Sequence, residues 1–465
     1  MLLGLAMPGL LGSEVVRAAP PLPTKEGPAP VYSLVDCLEL GLQRNPDVIR
    51  AQLEIERSQG LVITAKSLLY PKVGLAGRIE ERNDDLFSEG SDARLQGFRD
   101  YWTVSLVVTQ SLYSGGANRQ QIAISKLQQS AALVQLRAVT NGVMRDIRQA
   151  VYEIVVQQAQ IEAQEKTVQL LGEELVRQQQ YFDAGKTTRF NVLRTQVSLS
   201  NQKTQLQDAR VQRIRSQIAL ARLLNIEWST QRRETAPFQV REELSCPPVM
   251  ESLGELTAQA LALRPELEVL QYQIEMGERQ IKVDQASNIP RFDAFAGYEL
   301  RRDQSESSFD SAVNNATVGL LGNWNIFDGF SGRGRVKSGQ ASLESARISL
   351  DSTRRQIQSE VRDAYERLKN AELTVQAQAT NILTAEDSLR LSQNSADAGY
   401  ATLLDVLQST LDLTTARLEA IRARQRYMKA LADLNYAISL TFQDPPSPVA
   451  APASAPDLKP RSATP

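Results

Sequence analysis

A chain of 465 residues with 42% hydrophobic residues can build a large core, and its net charge of −2 offers no basic field for nucleic acid. Histidine is absent, which removes the commonest general base and transition-metal ligand, so a Ser-His-Asp triad is excluded and no cofactor or metal is expected. The two cysteines, Cys37 and Cys246, stand far apart and in no CxxC spacing, so neither a redox pair nor a disulfide framework is indicated.

Residues 1–32 read as a signal-like or disordered N-terminus. An apolar run over 2–11 and Arg17-Ala18-Ala19 before Pro20 suit a secretory signal, but no Lys or Arg precedes the run. A helix is predicted over 33–69, with Ser33 as N-cap and Asp36 in its first turn. The apolar period then shortens to two. Val73, Leu75 and Ile79 alternate with Gly74, Ala76, Arg78 and Glu80 in a strand over about 72–81. Trp102, Val104, Leu106, Val108 and Leu112 share one face of a second strand over 101–112, after a polar loop at 82–100. A long helix follows over 115–180, about 100 Å at 1.5 Å per residue, and a return helix over 189–225. Residues 226–251 form a linker or equatorial region. The second half gives helices over 252–288, 330–394 and 403–438, with strands at about 291–301 and 316–327 joined by a polar loop at 302–315. Phe292, Ala294, Ala296, Tyr298 and Leu300 share one strand face, as do Val318, Leu320, Trp324 and Ile326. The tail over 441–465, rich in Pro, Ala and Ser, is expected to be disordered.

The two halves, 33–225 and 252–440, are a duplication. Asn45-Pro46-Asp47 recurs as Arg264-Pro265-Glu266, and Tyr70-Pro71 as Ile289-Pro290, both at an offset of 219. Leu112-Tyr113-Ser114-Gly115 recurs as Ile326-Phe327-Asp328-Gly329, and Ala184-Gly185 as Ala398-Gly399, both at 214. Heptads repeat in the same register: Ile147, Ile154, Ile161, Val168 and Leu175 answer to Val361, Leu368, Val375, Ile382 and Leu389. Behind the Ala-Gly turns, Val192, Leu199, Leu206 and Leu220 answer to Val406, Leu413, Ala420 and Leu434. A sustained seven-residue apolar period implies left-handed supercoils of long helices. No proline lies between Pro71 and Pro237 or between Pro290 and Pro445, so very long helices are permitted.

Ten- to twelve-residue strands with one apolar and one polar face match membrane barrel strands, although a half-buried sheet alternates in the same way. No globular core elsewhere in the sequence would cover those faces, which favours lipid. Four strands cannot close a barrel, and an open edge is not tolerated in lipid, so the chain must oligomerise.

With these features the chain resembles the TolC-like outer-membrane efflux family over about residues 33–440. The carriers are Asn45-Pro46, Tyr70-Pro71, the joints Leu112-Tyr113-Ser114-Gly115-Gly116 and Ile326-Phe327-Asp328-Gly329, and the two Ala-Gly turns, all in duplicated order. The resemblance implies a mixed α and β fold: a long coiled-coil α-helical barrel continuous with a homotrimeric transmembrane β-barrel of twelve strands, four from each chain. It implies a passive export duct in outer-membrane lipid, not an enzyme, which serves drug efflux or type I protein secretion. Its partners would be a periplasmic adaptor (membrane fusion) protein and an inner-membrane pump or ABC transporter.

The resemblance also assigns candidate site residues. The hairpin turns become periplasmic tips for adaptor docking: Gly185, Thr187 and Thr188 in the first, Gly399, Tyr400 and Thr402 in the second. Any helical hairpin wants Gly and then Thr at such a turn. Asp405 matches an acidic position at the closed periplasmic entrance, and Gln408 stands where a second acid would be. Asp405 either lines that constriction or caps the first turn of its helix. Gly115, Gly116 and Gly329 mark strand-to-helix joints. The stretch Gly329-Phe330-Ser331-Gly332-Arg333-Gly334-Arg335 lacks GxGxxG spacing and precedes no βαβ unit, so it reads as such a joint rather than a phosphate loop. Neither cysteine suits a lipid anchor, and none is expected. Two other classes stand against the duct: a soluble coiled-coil scaffold with a small docking sheet, and a carboxylate hydrolase, for which no acid pair in a recognisable pocket is found.

Overall fold

The computed structural model describes residues 30–83, 98–227, 238–242, 244–248, 250–302 and 313–439. The signal-like segment before residue 30, residues 84–97 and 303–312 of the strand-connecting loops, and the C-terminal tail lie outside the described residues. In chain order the elements are β1 (Val31–Tyr32), α1 (Leu34–Arg44), α2 (Pro46–Lys66), β2 (Lys72–Asn83), β3 (Phe98–Tyr113), α3 (Ala117–Asp183), α4 (Arg189–Leu223), β4 (Gln239–Val240), α5 (Leu253–Leu263), α6 (Pro265–Gln285), β5 (Arg291–Arg302), β6 (Val313–Asn323), α7 (Ser331–Asp397) and α8 (Leu403–Ala437). They fall into two compact units: Met1–Asn45, Thr140–Arg264 and Ile357–Pro465 make the first, Pro46–Val139 and Pro265–Gln356 the second. Each unit takes segments from both halves of the duplication.

The helices predicted over 33–69 and 252–288 are each broken in two. The break falls at Asn45 and at Arg264, both extended, with ψ of 128° and 116°. Each precedes a proline, and the proline ring excludes the α region from the residue before it. The proline then serves as the first residue of the next helix, where its missing N–H costs nothing. Each first segment opens on a capping box, Ser33 with Asp36 and Ser252 with Glu255, positions again 219 apart.

In the first unit, α3 contacts both α4 and α8, and α8 contacts α7. Ile161 packs with Leu206 and Ala209 of α4. Leu171 packs with Leu199 of α4 and Leu407 of α8. The hydroxyls of Thr167 and Thr414 share a buried hydrogen bond of 2.8 Å, and Ser409 meets Ser392 of α7 at 2.8 Å. The heptad stripe supplies this core: Ile147, Ile154, Val361 and Leu368 are buried almost completely, Ile161 and Leu389 are buried, and Val168, Leu175, Val375 and Ile382 are half-buried. A fully buried isoleucine contributes about 1.5–3 kcal/mol relative to an exposed one, so the stripe fixes the register of the bundle.

At its other end the first unit carries a small parallel pair of strands that the sequence reading did not find. Val31 pairs with Gln239 and Tyr32 with Val240, and the rings of Tyr32 and Phe238 pack at 5.6 Å. The unit also closes two helix ends in equivalent ways. Asn45 Nδ2 donates to the carbonyl of Leu223 at 2.9 Å, and Arg264 Nε donates to the carbonyl of Ala437 at 2.8 Å. Leu223 and Ala437 are the last residues of α4 and α8. A helix leaves its final carbonyls without partners, and in each half the residue before the proline meets one of them.

In the second unit the four long strands form one antiparallel sheet in the order β2-β3-β5-β6, so β3 and β5 join the two halves of the duplication. A bulge between Ser111 and Tyr113 sets Tyr113, not Leu112, opposite Phe292, with ring centroids 6.4 Å apart. β6 ends at Asn323, so Trp324 and Ile326 lie beyond the strand expected to contain them.

Candidate functional site

Two surfaces carry the candidate function. On the sheet, the alternating residues of the four strands fall into register. Val73, Val108, Ala296 and Val318 form one row across all four strands, and Leu75, Leu106, Tyr298 and Ala316 the next. These rows are uncovered in the single chain: Leu75 is 73% exposed and Val318 86%. The opposite face carries Ala76, Ser105, Glu299 and Asn315 in one row and Lys72, Thr109, Phe295 and Gly319 in another, polar but interrupted by Phe295. A contiguous apolar face of this size marks a surface that meets lipid or a partner. β2 and β6 are the edges of the sheet, and neither edge is paired among the described residues.

The second surface is the pair of hairpin tips. α3 and α7 end alike. Gly185 (φ 69°) donates to the Phe182 carbonyl at 2.9 Å and Lys186 to the Tyr181 carbonyl at 2.7 Å. Gly399 (φ 82°) donates to Ala396 at 3.0 Å and Tyr400 to Ser395 at 2.8 Å. This pair of bonds is the Schellman closure, which needs a left-handed residue and so favours glycine. The return helices start differently. Thr402 caps α8 through a full capping box with Asp405, whereas Thr188 stands at the cap of α4 without a side-chain bond. In the first tip Thr187 Oγ1 instead accepts from Asn191 Nδ2 at 2.9 Å. Tyr400 is 90% exposed and Phe190 66%, so both tips show aromatic rings to their surroundings.

Asp405 accepts from the Thr402 hydroxyl at 2.7 Å and from its amide at 2.8 Å. These two bonds hold its carboxyl below the usual carboxylate range. Gln408 donates to Asp412 at 2.8 Å. Asp405, Gln408 and Asp412 are all exposed on one stripe of α8, while Val406, Leu407, Ser409 and Thr410 are buried on the other side. Asp412 is the acid that the sequence reading passed over: it lies one heptad beyond Asp405, and that spacing was legible.

At the strand-to-helix joints Gly115 and Gly116 have φ of 61° and 86°, and Gly329 has 66°. A Cβ on Gly115 would stand 2.9 Å from Ile289 Cβ, so this joint needs glycine for space as well as for conformation. Neither cysteine offers reactive chemistry. Burial pushes the Cys37 thiol up to about 12. Among the described residues no group of acids and cysteines could hold a metal, and no helix is long and apolar enough to cross a membrane.

The model of the outer membrane efflux protein family matches residues 37–225 and 256–439, one block for each half of the duplication. The chain belongs to the outer membrane efflux protein family. Among its relatives is the alkaline protease secretion protein AprF of Pseudomonas aeruginosa, 22% identical over 412 residues, which span 87% of this chain and 83% of AprF. The proteases secretion protein PrtF of Dickeya chrysanthemi is 22% identical over 431 residues, 90% of each chain. The fold matches the crystal structure of the outer membrane protein VceC of Vibrio cholerae with a TM-score of 0.73 at 19% identity, over 87% of this chain and 96% of VceC. Family membership makes this an outer-membrane efflux channel protein and sets aside the soluble scaffold.

Proposed function

We propose that three copies of the chain close their sheets into a twelve-strand barrel, and that their helical hairpins line a periplasmic duct for passive export. The observation that carries this reading is the four-stranded sheet, apolar in register on one face and with neither edge paired among the described residues. In lipid every backbone polar group must find a partner, so β2 of one copy is expected to pair with β6 of the next. A homotrimer brings the strand count to twelve, within the range of membrane barrels. Energy for export would come from an inner-membrane pump or ABC transporter, reached through a periplasmic adaptor protein. The names of AprF and PrtF support secretion of a protease-class cargo through such a duct. The test is the native mass of protein extracted in mild detergent from separated outer membranes. A trimer of 51.5 kDa chains is expected. A monomer in the soluble fraction would overturn the barrel.

The tip residues Gly185, Thr187, Thr188, Gly399, Tyr400 and Thr402 are proposed as the adaptor surface. Exposed Tyr400 and Phe190 support this role, because aromatic rings anchor interfaces. Asp405 and Gln408 are proposed to line the periplasmic constriction, with Asp412, to which Gln408 donates at 2.8 Å, as a second acid on the same stripe. Single-channel recording separates this role from capping. Asp405→Asn together with Asp412→Asn should lower cation block, and unchanged block would leave Asp405 as a cap alone.

A further inference from the structure

The two strand-to-helix joints share a backbone but not a side chain. Positions 115 and 116 of the first are both glycine; the equivalent positions of the second are Gly329 and Phe330, and Phe330 keeps the left-handed φ of 66°. An L side chain in that region crowds the following carbonyl, and a bulky residue seldom adopts it. Phe330 is 62% exposed, so its side chain gains little burial among the described residues. Its ring meets Phe327 edge-on at 5.4 Å, and Phe327 is itself 74% exposed. Arg333 sets its guanidinium 5.9 Å from the centre of the Phe330 ring and makes no hydrogen bond or ion pair among the described residues. Asp328, in the same turn, is already engaged: its Oδ2 accepts from the Gly332 amide at 2.6 Å and faces Arg335 at 3.9 Å. Lys337 adds a further exposed cation one turn on, whereas the first joint has only Arg119 over the matching stretch. Backbone strain held at a site without a packing return points to function.

We propose that Phe327, Phe330 and Arg333 form a clasp for the headgroup of an anionic phospholipid at the rim of the sheet. The two rings would sit at the level of the glycerol backbone, where aromatic side chains are favoured. The guanidinium, held over the ring, would meet the phosphate. Two observations select lipid as the occupant. The clasp follows directly on β6, whose Val318 and Leu320 belong to the exposed apolar face, through the exposed Trp324 and Ile326. The local charge is cationic once Asp328 is taken up by the start of α7. This inference rests on the barrel reading and adds to it a lipid preference confined to the second joint.

The test uses the full chain in nanodiscs of phosphatidylcholine with or without phosphatidylglycerol, with retained lipid counted by native mass spectrometry. Phe330→Gly restores the residue of the first joint and relieves the backbone, so it should fold and enter discs. Phe330→Gly and Arg333→Gln are each expected to retain about fivefold less phosphatidylglycerol relative to phosphatidylcholine. Arg119→Gln, the equivalent change in the first joint, should leave the ratio unchanged. The same lipid ratio in wild type and both variants would overturn the clasp. Loss of oligomeric mass in Phe330→Gly would overturn it too, by showing that the ring is covered by a neighbouring copy. Wild-type protein that fails to enter discs at all would overturn the barrel reading, and the clasp with it.

Discussion

The returning helices of the two halves end at equivalent carbonyls, Leu223 and Ala437, yet a neutral amide meets the first and a guanidinium the second. Arg264 also pairs with Glu360 at 2.7 Å and lies 5.1 Å from the centre of the Tyr436 ring, which Arg145 approaches as well, at 4.5 Å. A similar divergence occurs one helix earlier. A Cβ on Gly41 would meet Ile147 Cδ1 at 2.1 Å, while the equivalent positions hold Ala260 and Val361, both fully buried. The first half pairs a smaller residue with a larger one, and the second half reverses the exchange. Backbone demands such as the pre-proline break and the left-handed turns are thus shared between the halves. The groups that satisfy the resulting space and bonds differ between the halves.

The sharpest way to break this comparison is to empty the second cap. Arg264→Ala should destabilise the fold by about 3 kcal/mol, because it removes the donor to the buried Ala437 carbonyl and breaks the ion pair with Glu360; the figure is at the low end for buried pairs since Glu360 is 40% exposed. Asn45→Ala should cost less, about 1–2 kcal/mol. Equal losses in denaturant unfolding would mean that the ion pair adds nothing. Next in size is the packing exchange. Gly41→Ala should cost about 1–3 kcal/mol through overpacking, and adding Ile147→Val should recover most of that loss. A strictly additive double mutant would show that the two positions are not coupled. Smaller again are the caps of the return helices. Thr402→Ala should cost about 1 kcal/mol, and Thr188→Ala, which removes no cap bond, only a few tenths.

The smallest effect is a pH dependence. Asp405 titrates below its unfolded value because Thr402 bonds its ionised form. Its contribution is therefore fully present above the unfolded pKa and is lost as pH falls through the lower, folded one. Amide protection factors near the start of α8, taken against the intrinsic exchange rate at each pH, should fall in that acidic window while those at the start of α4, which has no capping box, stay unchanged. A matching fall in both hairpins would assign the effect to general acid unfolding instead.

Much of this architecture is written in local patterns. The duplication, the heptad stripes, the alternating strands and the Ala-Gly turns each have a period or a residue type that a single chain displays. The misses have physical reasons. The helices over 33–69 and 252–288 look continuous because their apolar spacing runs through Asn45 and Arg264, although the prolines that break them were in plain view. β1 and β4 are two residues each and pair across some two hundred positions, so no local period announces them. The bulge at Leu112 and the early end of β6 are set by cross-strand pairing, which one strand alone does not encode. Among the proposed site residues, Asp405 comes from the family resemblance, which expects an acid just after the second turn. Asp412 stands one heptad beyond Asp405, a spacing the sequence displays, whereas the left-handed φ of Phe330 needed coordinates, because its residue type does not favour that backbone.

The bare edges of the sheet have a genetic consequence. A chain whose β2 can pair but whose β6 cannot, for example one carrying proline in β6 at a position whose N–H faces the free edge, could still join an assembly and would leave it unclosed. In a cell that expresses native and altered copies equally, random mixing would leave only about one ring in eight free of the altered chain, so a closed threefold ring converts a recessive lesion into a dominant one. The same unpaired strands that make each chain incomplete would make a minority of faulty copies costly to all the others.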